Sequence, residues 1–199
     1  MKAARSLGCA ILSLVAILSL SGCHKSFSSM PAHVSSQEMQ VYEAWLKQQK
    51  LRFPLRTIEV APLTSPIPPN TVGTNGSEDE VRGTRKWLQR DGVPTSAFNK
   101  LADLGGAMYP LPEPFDPHLA KNRSSSDSSC APEDRDTDIT HVTFSRIVFS
   151  RRGDLALLHV SRLPCLHGVC GGGRGEYLIG TQHGADWSFK SVGPSAILD

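Results

Sequence analysis

Leu155-Ala156-Leu157-Leu158-His159-Val160-Ser161-Arg162 decides the fold. Its side chains sort two by two: Ala156, Leu158 and Val160 fall on one face, and Leu155, Leu157 and His159 on the other. That is the period of a strand. Upstream, Arg151-Arg152-Gly153-Asp154 reads as a turn, preceded by Thr140–Ser150. That segment alternates through Val142 and Phe144 and then shifts phase to Ile147 and Phe149, as if bulged near Arg146. Downstream, Glu176–Gln182 reads as a third strand, His183-Gly184-Ala185-Asp186 as a turn, and Trp187–Val192 as a fourth strand. Short turns between consecutive strands predict an antiparallel meander of about four strands.

The N-terminal half carries helix signals instead. Ser35-Ser36-Gln37-Glu38 has a capping-box pattern, followed by Met39, Val41, Tyr42, Trp45 and Leu46 on a wide apolar face. A helix to about Lys50 and a short strand from Leu55 to Val60 follow from it. Ser77-Glu78-Asp79-Glu80 repeats the capping pattern before a second helix with Val81, Trp87 and Leu88 as its apolar contacts. Thr95 or Ser96 opens a third, through Phe98 and Leu101 to Gly105-Gly106. Helices first and strands last predict an α+β domain over residues 37–199, its N-terminal helices packed on the C-terminal sheet. Residues 109–137, with five prolines before Asp136 and the run Arg123-Ser-Ser-Ser-Asp-Ser-Ser129, read as a long loop or disordered insert.

The chain begins like a bacterial secretion signal. Lys2 and Arg5 precede an apolar stretch from Leu7 to Leu20, and Leu20-Ser21-Gly22-Cys23 closes it. The stretch is short of the ~20 apolar residues a spanning helix needs, and no Ala-x-Ala-like cleavage site ends it. Leu20–Cys23 resembles the lipobox of bacterial lipoproteins. The resemblance implies residues 1–22 as signal peptide, a diacylglycerol thioether on Cys23, and acylation of the new N-terminus, so that the membrane is a partner through that lipid. Residues 23–36 then read as a flexible, serine-rich tether. With His24 rather than Asp after the anchor, the pattern is that of lipoproteins passed to the outer membrane. The expected address is the bacterial cell envelope, facing periplasm or surface.

Residues 23–199 suffice for one domain with linkers and are short for two. Lys2 and Arg5 account for the excess of 21 basic over 19 acidic residues, so the mature chain is electrically balanced. It offers no general pull on nucleic acid, and no nucleic-acid partner is expected.

The C-terminal strands also resemble a group of uncharacterised bacterial envelope proteins. The residues that carry this are Phe144-Ser-Arg-Ile-Val-Phe-Ser150, Asp154–Val160, Cys165, Cys170-Gly171, Glu176–Ile179 and Gly184–Trp187. Val41-Tyr42-Glu43-Ala44 and Phe98-Asn99 fit the N-terminal half of the same group. His159, where an aromatic belongs, and the longer Gly171–Gly175 run depart from it. The resemblance implies a domain without assigning chemistry.

Of five cysteines, Cys9 lies in the signal and Cys23 at the anchor. In an oxidising compartment Cys165 and Cys170 are expected to pair, fixing the shape of a short connection at ~2 kcal/mol. Cys130 has no evident partner. The competing reading places zinc or copper among His159, Cys165, His167, Cys170 and His183. Its spacing is a weak motif, so no cofactor is expected. Gly171-Gly172-Gly173-Arg174-Gly175 leads into a strand, not a helix, and reads as a hairpin connection rather than a phosphate cradle. No Gly-x-Ser-x-Gly occurs, and Glu133-Asp134 and Asp136/Asp138 read as solvated charges. The sequence therefore points to a non-enzymatic binding or envelope-support domain, with an envelope protein as a further partner. A small envelope enzyme, a hydrolase or a metal-dependent one, is the alternative.

Overall fold

The computed structural model describes residues 33–65, 78–103, 108–112, 114–123, 138–167 and 169–198. Cys23, the signal, Cys130 and most of the tether lie outside the described residues, as do Ser77 and Gly105-Gly106.

Helix α1 (Ser36–Arg52) begins where local chemistry places it. The Ser35 hydroxyl accepts from the Glu38 amide at 3.2 Å, and the Glu38 carboxylate accepts from the Ser35 amide at 2.8 Å. Two amides that the helix cannot satisfy itself are thus paired. Val34, in the stretch read as tether, is already part of the core. Met39, Val41, Tyr42, Trp45 and Leu46 are all buried.

Strand β1 (Thr57–Val60) follows, then α2 (Glu78–Arg90), α3 (Thr95–Asp103) and β2 (Lys121–Asn122). Helix α2 ends in a Schellman motif. Gly92, at φ +86°, donates to Gln89 O at 3.0 Å, and Val93 donates to Leu88 O at 2.8 Å. The remaining elements are β3 (Ile139–Phe144), β4 (Val148–Phe149), β5 (Leu155–Leu166), β6 (Val169–Cys170), β7 (Gly173–His183) and β8 (Asp186–Leu198).

These strands form one mixed sheet in the order β2-β1-β3-β5-β7-β8, with β4 and β6 paired to β5. The expected meander is there, as β3, β4, β5, β7 and β8, all antiparallel. The count of about four is corrected to eight among the described residues, and the sheet is not wholly antiparallel. Strand β1 runs parallel to both β2 and β3, because the chain crosses over through α2 and α3 before returning beside it.

Helix α1 covers one face, where Tyr42 stacks on Phe144 at 4.5 Å and Trp45 meets the same ring edge-on at 5.4 Å. Val142, Ala156, Leu158, Val160, Leu178 and Trp187 complete this core. On the other face, Leu88, Phe98 and Leu101 of α2 and α3 pack on Leu157, Tyr177 and Val192. The phase shift after Phe144 is the break between β3 and β4. Ile147 and Phe149 return to the α1 side, while Val148 faces α2 and α3.

Two expectations are revised. Trp87 is 45% exposed, its ring covered by Arg90 at 4.0 Å, so Leu88 alone of that pair enters the core. The described part of the Pro-rich insert is not all loop. Leu63 bridges Pro110, Phe115 and Ala120 are buried against the α1 side, and β2 adds an edge strand. Residues 124–137 lie outside the described residues.

Candidate functional site

Strands β5 and β6 close a tight hairpin in which Cys165 stands directly across from Cys170 and Leu166 across from Val169. Opposed residues of an antiparallel pair share a face, and the two sulfurs are bridged at 2.07 Å. Cys165 is fully buried. His167 sits at the hairpin tip with φ 50° and is solvent-exposed.

Next to this bridge stands a histidine outside the set that the sequence predicts. His141 on β3 faces the same side as Cys165, because Ile139 pairs with Cys165 and His141 with Leu163. One imidazole nitrogen and the two sulfurs lie within 4.8 Å of one another. His141 is 7% exposed, and its Nδ1 lies 3.4 Å from the Glu59 carboxylate on the neighbouring parallel strand. The signal for it was the alternation Ile139, His141, Thr143, but assigning it needed the register of β3 on β5 across a broken strand.

The histidines of the expected metal set go elsewhere. His167 remains at the exposed tip. His183 is at the far end of β7, exposed, with Nε2 3.2 Å from Ser188 Oγ. Among the described residues, neither these nor His159 joins the two cysteines in a cluster of potential metal ligands. Of the set His159, Cys165, His167, Cys170 and His183, only Cys165 and Cys170 are brought together among the described residues, and the histidine beside them is His141.

His159 has its own environment. It is 2% exposed, meets the Tyr177 ring edge-on at 5.0 Å, and its Nε2 has no hydrogen-bond partner among the described residues. Burial lowers its pKa to about 4. Its ring occupies the space in which Gly175 lacks a side chain: a Cβ there would lie 2.7 Å from Nε2. This assigns a packing role to part of the glycine run, and Gly173–Gly175 lie in β7 rather than in a loop.

A buried ion pair joins the start of α1 to the β3–β4 break. The Arg146 Nε donates to Glu38 Oε1 at 2.8 Å, with the residues 2% and 1% exposed. The guanidinium also donates to His33 O at 2.9 Å and lies 4.5 Å from the centroid of the Tyr109 ring. Glu38 Oε1 accepts from the Ile147 amide at 3.1 Å. Tyr42 donates to Ser145 O at 2.7 Å, and burial, then the Glu38 charge, raises its pKa so that the phenol keeps this proton. Every oxygen of Glu38 is engaged by donors of the fold, which makes this a structural junction and not an acid–base pair facing a substrate.

The far end of α1 carries the opposite kind of surface. Leu51 is 77% and Leu55 97% exposed, with Phe53 at 37% between them. Leu55 had been expected in a strand, but β1 starts only at Thr57. Arg52 and Arg56 lie 5.3 and 5.1 Å from the Phe53 ring centroid, and Lys50 Nζ donates to Arg56 O at 2.8 Å. Behind this tip, a cavity of about 30 Å³ beside Trp45, Phe53, Thr140 and Arg162 has room for water and not for an organic ligand.

No helix among the described residues is long and apolar enough to cross a membrane. No protein-family model matches this chain, and no curated protein or solved structure is similar enough to it to carry an argument.

Proposed function

We propose that this protein is a bacterial cell-envelope lipoprotein, acylated at Cys23, whose single domain works by binding at the membrane surface and not by catalysis. The observation that supports this reading is the apolar, cationic tip Leu51-Arg52-Phe53-Pro54-Leu55-Arg56. Exposed leucines flanked by basic side chains match the boundary between acyl chains and anionic headgroups. The tether is long enough to permit that contact. Val34 is held in the core, so the free span runs from Cys23 to His33 and reaches at most ~35 Å when extended, whereas α1 is only ~26 Å long at 1.5 Å per residue. An anchored domain can therefore lay either end of α1 on the bilayer.

Vesicle co-sedimentation tests it, with the mature chain carrying Cys23→Ser so that the acyl chains play no part. It is expected to pellet with phosphatidylglycerol-containing vesicles and far less with neutral ones. Each fully buried leucine contributes about 1.5–3 kcal/mol, so Leu51→Ser with Leu55→Ser should lower the vesicle partition coefficient by roughly a hundredfold or more. Cys23→Ser protein that keeps both leucines and still stays in the supernatant would remove the membrane from the role of this tip and leave an envelope protein as its partner.

A second reading, a metal-binding envelope protein, is favoured by one specific observation, the convergence of His141 on Cys165 and Cys170.

A further inference from the structure

We propose that Cys165, Cys170 and His141 form a redox-gated site for a thiophilic d10 cation, zinc(II) or copper(I), closed while the disulfide is intact and opened by its reduction. The inference does not depend on acylation or on the leucine tip.

Three features of the fold carry it. The register sets Cys165 against Cys170 across one ladder, and His141 is held on the same face by the adjacent ladder. The donors thus come from three strands of a sheet, not from a loop that must find its own shape. Their ligand atoms already lie within 4.8 Å of one another. With bond lengths of about 2.3 Å to sulfur and 2.0 Å to nitrogen, the two sulfurs of the bridge must separate by roughly 1.5–2 Å after reduction. The imidazole keeps its place beside them, and the change is within reach of side-chain rotation.

Glu59 supplies the third feature. A metal-bound histidine characteristically gives its other ring N–H to a carboxylate, which fixes tautomer and orientation. With Glu59 3.4 Å from Nδ1, Nε2 is the nitrogen that keeps a lone pair for the metal. Two thiolates and one imidazole form a soft donor set, suited to copper(I) with three ligands or to zinc with a water as the fourth.

The chemistry balances with a dithiol reductant. Its two electrons and two protons break the Cys165–Cys170 bond into two thiols, and the reductant becomes a disulfide. The cation then displaces one proton from each thiol, and the imidazole contributes its lone pair without losing a proton. Reoxidation by a disulfide reverses both steps and expels the metal.

The test is metal retention by the mature chain with Cys23→Ser and Cys130→Ser, so that other thiols are absent. Protein reduced with a phosphine under nitrogen is loaded with zinc, desalted and read by native mass spectrometry, with chelator competition for affinity. A parallel arm uses copper(I). Reduced protein is expected to keep one ion and oxidised protein none. His141→Asn should weaken binding at least tenfold, and Glu59→Gln by roughly 10- to 100-fold. His183→Asn, remote from the site, should change nothing. If His141→Asn fails to fold, the partly exposed Glu59→Gln variant still decides the question. Reduced protein that retains neither ion, or variants that bind as tightly as the parent, would overturn the proposal and leave the bridge as a clasp on the hairpin.

Discussion

Replacing Arg146 by alanine should lower the melting temperature by roughly 10 °C. The Glu38 carboxylate would be left 1% exposed with its charged partner gone, and breaking such a buried pair from one side costs about 3–5 kcal/mol. At ~2–4 °C per kcal/mol for a domain of this size, that is far above experimental error. The Ser35 and Ile147 amides remain as donors to Glu38, which is why the loss stays at the lower part of the range. Glu38→Ala should cost as much, because it also removes half of the capping box. The pair replaced together, Glu38→Leu with Arg146→Met, should recover most of the loss, since no uncompensated charge is then buried. Thermal unfolding followed by circular dichroism reads all three variants. A drop under about 2 °C for Arg146→Ala would give the pair the value of an exposed salt bridge and contradict its burial.

The second large effect is in the response to acid. His159 has its pKa lowered to about 4 by burial, while an unfolded histidine titrates near 6.5. Between those values the unfolded chain holds a proton that the native chain refuses, so stability rises with pH across that window. The contribution is fully present above pH 6.5 and is lost as pH falls toward 4. Its size is roughly 3 kcal/mol for a shift of this extent. His159→Gln, which cannot titrate, should lose correspondingly less stability than wild type between pH 7 and pH 4. Subtracting the two urea-unfolding curves removes the shared carboxylate titrations. Gly175 provides an independent check, because its missing Cβ makes room for the ring. Gly175→Ala should destabilise by about 1–3 kcal/mol as overpacking does, and less in a His159→Ala background. Parallel pH profiles for wild type and His159→Gln would place the ring in water.

What the sequence made legible was local. The capping box at Ser35, the apolar face of α1 and the hairpin turn at Gly184 depend on residues a few positions apart, and all are where the pattern puts them. The Cys165–Cys170 bridge was legible for the same reason, with four residues between its ends. The phase shift near Arg146 marked a real break, although its cause lay elsewhere: Arg146 turns inward to meet Glu38, 108 positions away in sequence. Sequence spacing carries no information about such a pair. The parallel placement of β1 beside β3 was hidden likewise, since β1 and β3 are separated by two helices and a Pro-rich stretch. His141 was missed by consequence, because only the β3–β5 register sets it beside the cysteines. His159, His167 and His183 share the meander with the cysteines, but along an extended strand each residue adds ~3.3 Å, so membership of one sheet does not bring them together. Trp87 misled for a different reason: α2 turns Leu88 inward, so its neighbour points to solvent, where Arg90 covers its face.

Membrane attachment at Cys23 is tested most directly by the mass of the N-terminal peptide of the mature protein, expressed full-length in a Gram-negative host and purified from detergent-solubilised membranes. The expected peptide begins at Cys23, lacks residues 1–22, and is heavier by a diacylglyceryl group and an N-acyl chain, both absent from Cys23→Ala. An unmodified Cys23, or a chain still beginning at Met1, would contradict the lipoprotein reading.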